Sequence, residues 1–178
     1  MKKSEMKKLV FDAIEPKNLC RMFFKYDDNY FYYFPFKVSD KLFLGAEEDD
    51  FIIDGFAIRR FCDLIKVQIK NDKCIEIIKN EGLLNNISAP DIDLTDWYSA
   101  FLSLQRLGKN IIIEKESLDI DECEFAIGCV EKVLKNKVLF RHFDADGVWL
   151  DHLIEIPFSQ ITTVIFGSRY VETFSKYV

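Results

Sequence analysis

Four ionisable side chains near the end of the chain could carry chemistry. His142, Asp144, Asp151 and His152 flank a short Asp- and Gly-containing turn sequence. If the flanking segments pair as a hairpin, imidazoles and carboxylates meet there, and such a group can bind a metal ion or move protons. Alternate residues of a strand face opposite sides, so the pairing register decides whether the two histidines share a face. The ordinary interpretation is a solvated hairpin.

Three arginines offer a second kind of chemistry, the binding of phosphate. Arg59, Arg60 and Arg141 could contact a nucleic-acid backbone if aromatic side chains lay beside them. Arg59 and Arg60 are adjacent, so a regular strand would place them on opposite faces and not in one patch. A solvated strand surface explains them more simply. These three residues and the four above are the candidate binding surface that the sequence provides.

Motifs of known chemistry are few. Asp144-Ala145-Asp146-Gly147 resembles the middle of a calcium-binding loop, but Leu153 stands where that loop needs a bidentate Glu. A hairpin turn is the better interpretation. The chain has no Gly-x-Ser-x-Gly, no Gly-rich phosphate loop and no His-Glu-x-x-His. We therefore predict a non-enzymatic protein with no catalytic residue and no cofactor.

The cysteines favour a reducing compartment and no zinc site. There are five of them, an odd number, and no Cys-x-x-Cys pair occurs. Together with only two histidines, this spacing does not provide a zinc site. We predict reduced thiols that serve as small apolar side chains.

Charge and hydropathy limit the partners. The formal net charge is −6, which disfavours broad binding of phosphate backbones. The N-terminus is basic, but Leu9-Val10-Phe11 is too short for the core of a signal peptide, and no run of apolar residues is long enough to span a membrane. The sequence predicts a soluble cytoplasmic protein with a protein partner rather than nucleic acid or membrane. It does not indicate an oligomeric state.

The first part of the chain, residues 1–72, reads as a small β-unit. Cys20–Phe24 and the aromatic run Tyr30–Phe36 predict a hairpin, with an edge or a bulge at Pro35. The acidic run Glu47–Asp50 is expected to be a solvated loop. A second hairpin is expected around an Asp54-Gly55 turn, between Phe51–Ile53 and Phe56–Arg60, and Lys66–Ile69 would close the unit.

Residues 73–108 have helical character. Lys73–Asn80 is a short candidate helix. A second helix is expected over about 95–107, since Leu94, Trp97, Phe101 and Leu104 recur at helical spacing and form one buried face. Asp93 or Thr95 could cap its start, and Gly108 stands just past its end.

Residues 109–178 read as a second β-unit that ends in a short helix. The expected strands are Ile111–Ile113, the alternating segment Phe125 to Cys129, Val138–Phe143, Trp149–Ile156 and Thr162–Phe166. Gly128 suggests a bend, and Phe158–Gln160 a one-turn connector before the last strand. Five short strands in this pattern are typical of a small SH3-like or Sm-like barrel. The tail Arg169–Val178 is expected to be helical.

A weak internal repeat links the two β-units. Asp54-Gly55 is matched by Asp146-Gly147, and Phe61/Leu64/Val67 share one spacing with Phe158/Ile161/Val164. The segments Phe125–Gly128, Phe143–Trp149 and Ile156–Tyr170 resemble a group of bacterial proteins, without an established activity, that carry Sm-like β-barrel repeats. The resemblance implies a tandem barrel but no catalytic residue.

Together these observations predict an α+β, mainly β chain: two small antiparallel SH3-like or Sm-like barrels, 1–72 and 109–178, joined by a helical linker at 73–108. The expected function is a non-enzymatic cytoplasmic binding or regulatory module with a protein partner. Two alternatives stay open: an RNA-binding Sm-like protein, and an acidic inhibitor of a basic protein partner, of the kind that neutralises a toxin.

Overall fold

The computed structural model describes residues 1–85 and 87–178, and the chain divides into two compact units. Unit 1 is Met1–Pro90 and unit 2 is Asp91–Val178. The described residues form ten strands, paired antiparallel, and four short α-helices. This confirms the α+β, mainly β class. None of the helices described is long and apolar enough to cross a membrane.

Unit 1 contains a helix, five strands and a second helix. The bounds are α1 Lys3–Asp12, β1 Cys20–Phe24, β2 Tyr30–Val38, β3 Leu42–Asp49, β4 Ile52–Arg60, β5 Leu64–Ile69 and α2 Lys73–Asn80. The strand order is β5-β1-β2-β3-β4, so the fifth strand pairs with the first. β4 and β5 do not pair with each other in the described chain, so this sheet is not closed.

Both faces of the unit 1 sheet carry apolar side chains. On one face Phe24 and Phe43 are buried, and α1 packs against β2 and β5 through residues such as Met6 and Val10. The other face packs against α2: a cluster of buried residues joins Phe34 of β2 to the helix and the chain around it, namely Leu19, Phe34, Ala46, Ile75, Ile78 and Leu84. Burying apolar side chains of this size is the main stabilising contribution to such a small unit.

Unit 2 repeats this element order. Its bounds are α3 Trp97–Leu107, β6 Ile111–Lys115, β7 Glu124–Val133, β8 Lys137–His142, β9 Ile154–Pro157, β10 Thr163–Phe166 and α4 Arg169–Phe174, with a short 3-10 turn at Ile120–Glu122. The strand order is β10-β6-β7-β8-β9, so again the fifth strand pairs with the first. The predicted turn at Phe158–Gln160 is present between β9 and β10.

Gly128 is the bend predicted in β7. Its φ is 156°, and a Cβ added there would lie 2.0 Å from the carbonyl oxygen of Arg141 on the neighbouring strand. Any side chain would clash with backbone, so only glycine allows β7 and β8 to approach this closely. The bend positions His142, which pairs with Gly128.

Several local predictions are confirmed. α2 spans the predicted Lys73–Asn80, and the helix predicted at 95–107 is α3, with Gly108 at φ 63° beyond its end. The predicted bulge in β2 is present as a shift of register between Pro35 and Lys37. Trp97, Phe101 and Leu104 are buried as expected.

The expected hairpin turn at Asp54-Gly55 is wrong. Both residues lie inside β4, and the real turn is at Asp50-Phe51. Gly55 has φ 79°, and the register with β3 shifts there, because the positive φ that suits a turn also suits a bulge. Accordingly Glu47–Asp49, expected in a solvated loop, are the last residues of β3.

Three further expectations are corrected. Trp149–Ile156 is not one strand: Trp149 makes only an isolated bridge to Phe143, and β9 begins at Ile154. The cap of α3 is Asp96, whose carboxylate accepts the Ser99 N–H at 2.8 Å, and not Asp93 or Thr95. α1 was not predicted, because basic residues and a three-residue apolar run resemble a leader more than an amphipathic helix.

The domain boundaries proposed from the sequence, at 72 and 108, stay a prediction. Along the chain, unit 1 ends at Pro90 and unit 2 begins at Asp91, so α2 belongs to unit 1 and α3 to unit 2.

Candidate functional site: an acidic, aromatic cleft in unit 1

A cleft of about 520 Å³ opens in unit 1 where β2 begins and β3 ends. Its walls come from β2, from the β3–β4 turn and from the segment that joins β5 to α2. The lining residues are Leu19, Tyr30, Phe31, Tyr32, Glu47, Glu48, Asp49, Asp50, Phe51, Lys70, Asp72 and Cys74. Six of these twelve residues are charged and four are aromatic.

The rim of the cleft is a strained two-residue turn. Asp50 and Phe51 have φ values of 47° and 66°, the left-handed region that hairpin turns normally fill with Asn and Gly. For a bulky residue such as Phe this conformation costs on the order of 1–3 kcal/mol. The turn keeps the Phe51 ring at the cleft, 40% exposed. Strain of this kind is common where a side chain must be presented to a ligand.

Glu48 holds this turn in place. Its carboxylate accepts the Phe51 N–H at 2.8 Å. Burial raises the pKa of Glu48, and the nearby carboxylates of Asp49, Asp50 and Asp72 raise it further. The hydrogen bond from Phe51 opposes this rise, because it stabilises the ionised form. The crowding of negative charge means that a cation in the cleft would be favourable.

The charge balance of the cleft is strongly negative. Among the described lining residues, five are acidic and one is basic: Glu47, Glu48, Asp49, Asp50 and Asp72 against Lys70. That cation, Lys70, already forms an ion pair with Asp72. The excess of acidic over basic residues gives the cleft a negative potential, which attracts a positively charged group from solution.

Aromatic rings form the opposite wall. The rings of Tyr30 and Tyr32 lie edge to face, 5.2 Å between centroids. Burial raises the pKa of Tyr32, so its hydroxyl stays neutral. The negative face of an aromatic ring attracts a cation, and the attraction grows when water is excluded. Rings and carboxylates in one cleft therefore suit the side chain of Lys or Arg.

Next to the cleft, and sharing Tyr30 and Lys70 with it, lies a surface on β1 and β5 that we call the basic face. Its residues are Arg21, Phe23, Lys66 and Lys70 together with Tyr30. The Arg21 guanidinium carbon lies 3.5 Å from the Tyr30 ring centroid, and the Lys66 ammonium lies 4.9 Å from the Phe23 ring centroid. Hydrogen bonding to Arg21 lowers the pKa of Tyr30. The pairs Arg21–Gln68 and Phe23–Lys66 place these side chains next to each other across the strands.

The predicted arginines do not form one patch. Arg59 is only 2% exposed, so it is not a surface residue: its guanidinium carbon lies 3.7 Å from the Phe24 ring centroid and 4.7 Å from that of Phe31. Its Nη2 also lies 3.6 Å from the Asp27 carboxylate. The interpretation of Arg59 as solvated strand surface is wrong, because cation–π contacts and a carboxylate offset the cost of burying the charge.

Arg60 and Arg141 are each paired with an acid. Arg60 binds the buried carboxylate of Asp63, which Lys25 also contacts at 2.8 Å. Burial opposes ionisation of Asp63, yet the hydrogen bonds from Arg60 and Lys25 lower its pKa. Arg141 is exposed and lies 3.7 Å from Glu131.

The predicted histidine pair does meet. The rings of His142 and His152 lie edge to face with centroids 5.4 Å apart. The Nδ1 atom of His142 is buried and has no hydrogen-bond partner in the described part of the chain. Burial lowers the pKa of His142, and the neighbouring His152 lowers it further.

The two aspartates of that hairpin do not complete a site. The Asp144 carboxylate accepts the N–H groups of Asp146 and Val148, at 3.0 and 2.9 Å, so it builds the predicted turn. Asp151 is exposed. Within residues 1–85 and 87–178, no group of three or more His, Cys, Asp or Glu side chains is arranged to hold a metal ion.

Sequence reasoning missed both the cleft and the basic face. The acidic run was assigned to a loop, although Tyr30 and Tyr32 alternate with other residues just as a strand beside it would require. The basic face has a similar signal, since Arg21/Phe23 and Lys66/Gln68/Lys70 each alternate along a strand. Only the pairing of the strands shows that these sets are neighbours.

Comparisons of the chain with protein-family models, with curated proteins and with solved structures gave no match.

Proposed function

We propose that this protein is a non-enzymatic cytoplasmic binding or regulatory module, and that the unit 1 cleft receives a basic segment of a protein partner. The observation that carries the proposal is the composition of the cleft. Five carboxylates and the rings of Tyr30, Tyr32 and Phe51 line a single concavity. A Lys or Arg side chain satisfies both kinds of group at once.

The same proposal includes the architecture. We propose that each unit is an SH3-like or Sm-like barrel and that residues 73–108 join them. Support comes from the shared order of helix, five strands and helix, and from the fifth strand pairing with the first in both. Phe61/Leu64/Val67 and Phe158/Ile161/Val164 each span the junction of the fourth and fifth strands.

The cleft also supports the alternative that the protein is an acidic inhibitor of a basic protein partner. An acidic inhibitor that blocks a basic partner needs a concentrated negative surface, and the β3–β4 turn provides one. Such inhibition is a special case of the proposed binding. It differs only in whether the partner loses its own activity when the cleft is occupied.

A labelled eight-residue lysine peptide tests the proposal, with binding followed by fluorescence anisotropy. The variant Glu48→Gln/Asp49→Asn/Asp50→Asn removes three charges from the cleft. Exposed ion pairs contribute about 0.2–1 kcal/mol each, so we expect roughly tenfold weaker binding.

A matched control separates the cleft from the general acidity of the chain. The variant Asp121→Asn/Glu122→Gln/Glu124→Gln removes the same number of charges from unit 2. Its affinity should stay close to that of the parent protein. If both variants weaken binding equally, the peptide senses net charge alone and the cleft is not a site.

RNA binding is the second candidate, and the basic face favours it. Arg21 lies over the Tyr30 ring, Lys66 over the Phe23 ring and Lys70 over the Tyr32 ring. Cations next to aromatic rings are what binding of single-stranded nucleic acid requires. The acidic cleft lies along the same β2 strand and repels phosphate, which is why we place this candidate second.

A further inference from the structure

A row of four side chains crosses one face of the unit 1 sheet, from the basic face to the acidic cleft. Lys66 of β5 pairs with Phe23 of β1, and Phe23 pairs with Tyr30 of β2. Residues directly opposite each other on neighbouring antiparallel strands have their side chains on the same face. Asp50, in the turn after β3, lines the cleft together with Tyr30 and completes the row.

A second row lies beside the first on the same face. Arg21 of β1 pairs with Tyr32 of β2. The pairing of Tyr33 with Glu47 continues along β3, so the next residue, Glu48, lies opposite Tyr32. Each row therefore begins with a cation on β5 or β1, has aromatic rings in its middle and ends with a carboxylate at the β3–β4 turn.

The two ends of a row are too far apart to neutralise each other within one chain. Lys66 and Asp50 are three strand spacings apart, about 14 Å, and Arg21 and Glu48 are two spacings apart, about 10 Å. Among the described residues, none of these four forms an ion pair with an opposite charge. Both ends of each row can therefore bind an opposite charge from outside the chain.

The first row is open to solvent along its length. Lys66 and Asp50 are exposed at its ends, Phe23 is half-buried, and Tyr30 in the middle is 41% exposed. Aromatic side chains in the centre with charged side chains around them are typical of protein–protein interfaces, whose cores are depleted in charge.

We propose that the partner of the cleft is a second copy of the chain, in a twofold dimer that packs the two rows of one copy against the same rows of the other. This dimer rests on the function proposed above, because the basic face is then the basic segment that the cleft receives. A twofold axis parallel to the strands reverses each row, so Lys66 of each copy meets Asp50 of the other. Arg21 of each copy meets Glu48 of the other in the same way.

Charge complementarity favours a second copy over a foreign basic segment. A foreign basic segment in the cleft is repelled by the basic face beside it. A second copy satisfies the carboxylates and the cations together, because the charge pattern of the two rows is its own complement. The centre also fits, since Phe23 of each copy meets Tyr30 of the other, and aromatic pairs stabilise a contact beyond the area that they bury.

An exchange of charges between two variants tests the dimer, with its dissociation constant measured by sedimentation velocity at several protein concentrations. The parent protein should dimerise at micromolar concentrations, more weakly as salt is raised, because salt screens exposed charges. Lys66→Glu and Asp50→Lys each place like charges opposite each other at both contacts. Each variant alone should therefore dimerise at least roughly tenfold more weakly. An equimolar mixture of the two restores opposite charges at both contacts and should dimerise about as tightly as the parent.

Two further pairs of variants are the controls. Lys135→Glu and Asp121→Lys change the net charge by the same amounts at exposed positions of unit 2, and each should dimerise like the parent. Lys66→Gln and Asp50→Asn remove the charges without reversing them, and asparagine tolerates the positive φ of position 50. Each of these two should weaken the dimer, also in the case where a reversed charge unfolds the chain, and their mixture should not restore it.

Three outcomes overturn the dimer: a parent protein that stays monomeric, variants at positions 50 and 66 that dimerise like the parent, or a mixture of the reversed variants that associates no more tightly than each alone. The eight-residue lysine peptide distinguishes this failure from that of the proposed function. A monomeric parent that binds the peptide in the cleft keeps the proposed function, with a foreign basic segment as the partner. A monomeric parent that does not bind it loses both. If the dimer forms as proposed, the peptide should compete with it and increase the monomer fraction.

Discussion

The imidazole rings of His142 and His152 lie edge to face with their centroids 5.4 Å apart, although the two residues are ten positions apart in the chain. His142 is the fixed member: it ends β8, pairs with Gly128 and keeps its Nδ1 buried. His152 is exposed, in the segment before β9. In the described part of the chain, no third His, Cys, Asp or Glu side chain joins the pair to form a metal site.

His142 should titrate below the ordinary histidine range. Burial and the neighbouring His152 both lower its pKa. In the unfolded chain it has the ordinary value of about 6.5, so the unfolded state binds more protons below that pH. Stability is therefore full above the ordinary pKa and is lost progressively as the pH falls towards the lowered value.

An NMR titration of the histidine ring protons measures this pKa directly. In His152→Ala the pKa of His142 should rise but stay below the ordinary value, since burial, the larger cause, remains. Arg141→Ala is a control for a general change of charge on the hairpin. An unshifted His142 in the parent protein would contradict the prediction.

The turn at Phe51 should be more stable with glycine than with alanine. Both substitutions remove the ring, so they differ only in backbone preference. At φ 66° alanine is strained and glycine is not, so Phe51→Gly should exceed Phe51→Ala by about 1 kcal/mol in free energy of unfolding. Urea denaturation of the two variants measures the difference.

The same two substitutions at Lys37, to glycine and to alanine, are the control. Lys37 is an exposed residue inside β2, so alanine should be the more stable substitution there. If Phe51 shows the same order as Lys37, the turn is not strained in solution. Both Phe51 variants should also bind the lysine peptide more weakly, because the cleft loses one ring.

Phe101 should be essential to the stability of unit 2. It is fully buried, and its ring stacks on Phe158 with centroids 5.6 Å apart and touches Trp97 at 5.9 Å. Phe101→Ala should destabilise by roughly 3–5 kcal/mol, the sum of lost burial and the remaining cavity. Tyr98→Ala, on the exposed side of the same helix, should change stability little. Thermal unfolding that is equal for the two variants would mean that the aromatic stripe is not packed.

The sequence predicted the helices better than it predicted the turns between strands. α2 and α3 follow from spacing, because an apolar stripe can be buried only on one face of a helix. The Asp54-Gly55 pair suggested a turn, but the positive φ of Gly55 belongs to a bulge in β4. The tight turn is made by Asp50 and by Phe51, which adopts a positive φ against its propensity. Local preference cannot reveal a turn that tertiary packing holds in a strained conformation.

The candidate site shows the same limit. His142 and His152 could be predicted to meet because one hairpin connects them. The burial of the Arg59 side chain could not be predicted, since it depends on rings from β1 and β2 that are distant from Arg59 in sequence. The cleft and the basic face depend on strand order in the same way, and strand order is not encoded in any single segment.

The last prediction concerns nucleic acid, where the two candidate functions differ. Non-specific affinity for RNA comes mainly from cations that neutralise phosphates and release counterions. The net charge is −6, and residues 109–178, for which the sequence predicts an Sm-like barrel, hold 8 Lys/Arg against 12 Asp/Glu. We expect weak binding of a mixed-sequence single-stranded RNA near physiological salt, with a dissociation constant of about 100 μM or more.

A salt titration shows whether the basic face contributes to that binding. Three cations, Arg21, Lys66 and Lys70, give a log–log slope of about −2 on single-stranded RNA, since each neutralised phosphate adds about −0.7. Arg21→Ala/Lys66→Ala should reduce that slope, whereas Lys135→Ala/Lys176→Ala, which removes two cations from unit 2, should leave it unchanged. Micromolar binding with a much steeper slope would require a larger basic surface than unit 1 provides, and RNA would then replace the basic protein segment as the preferred ligand.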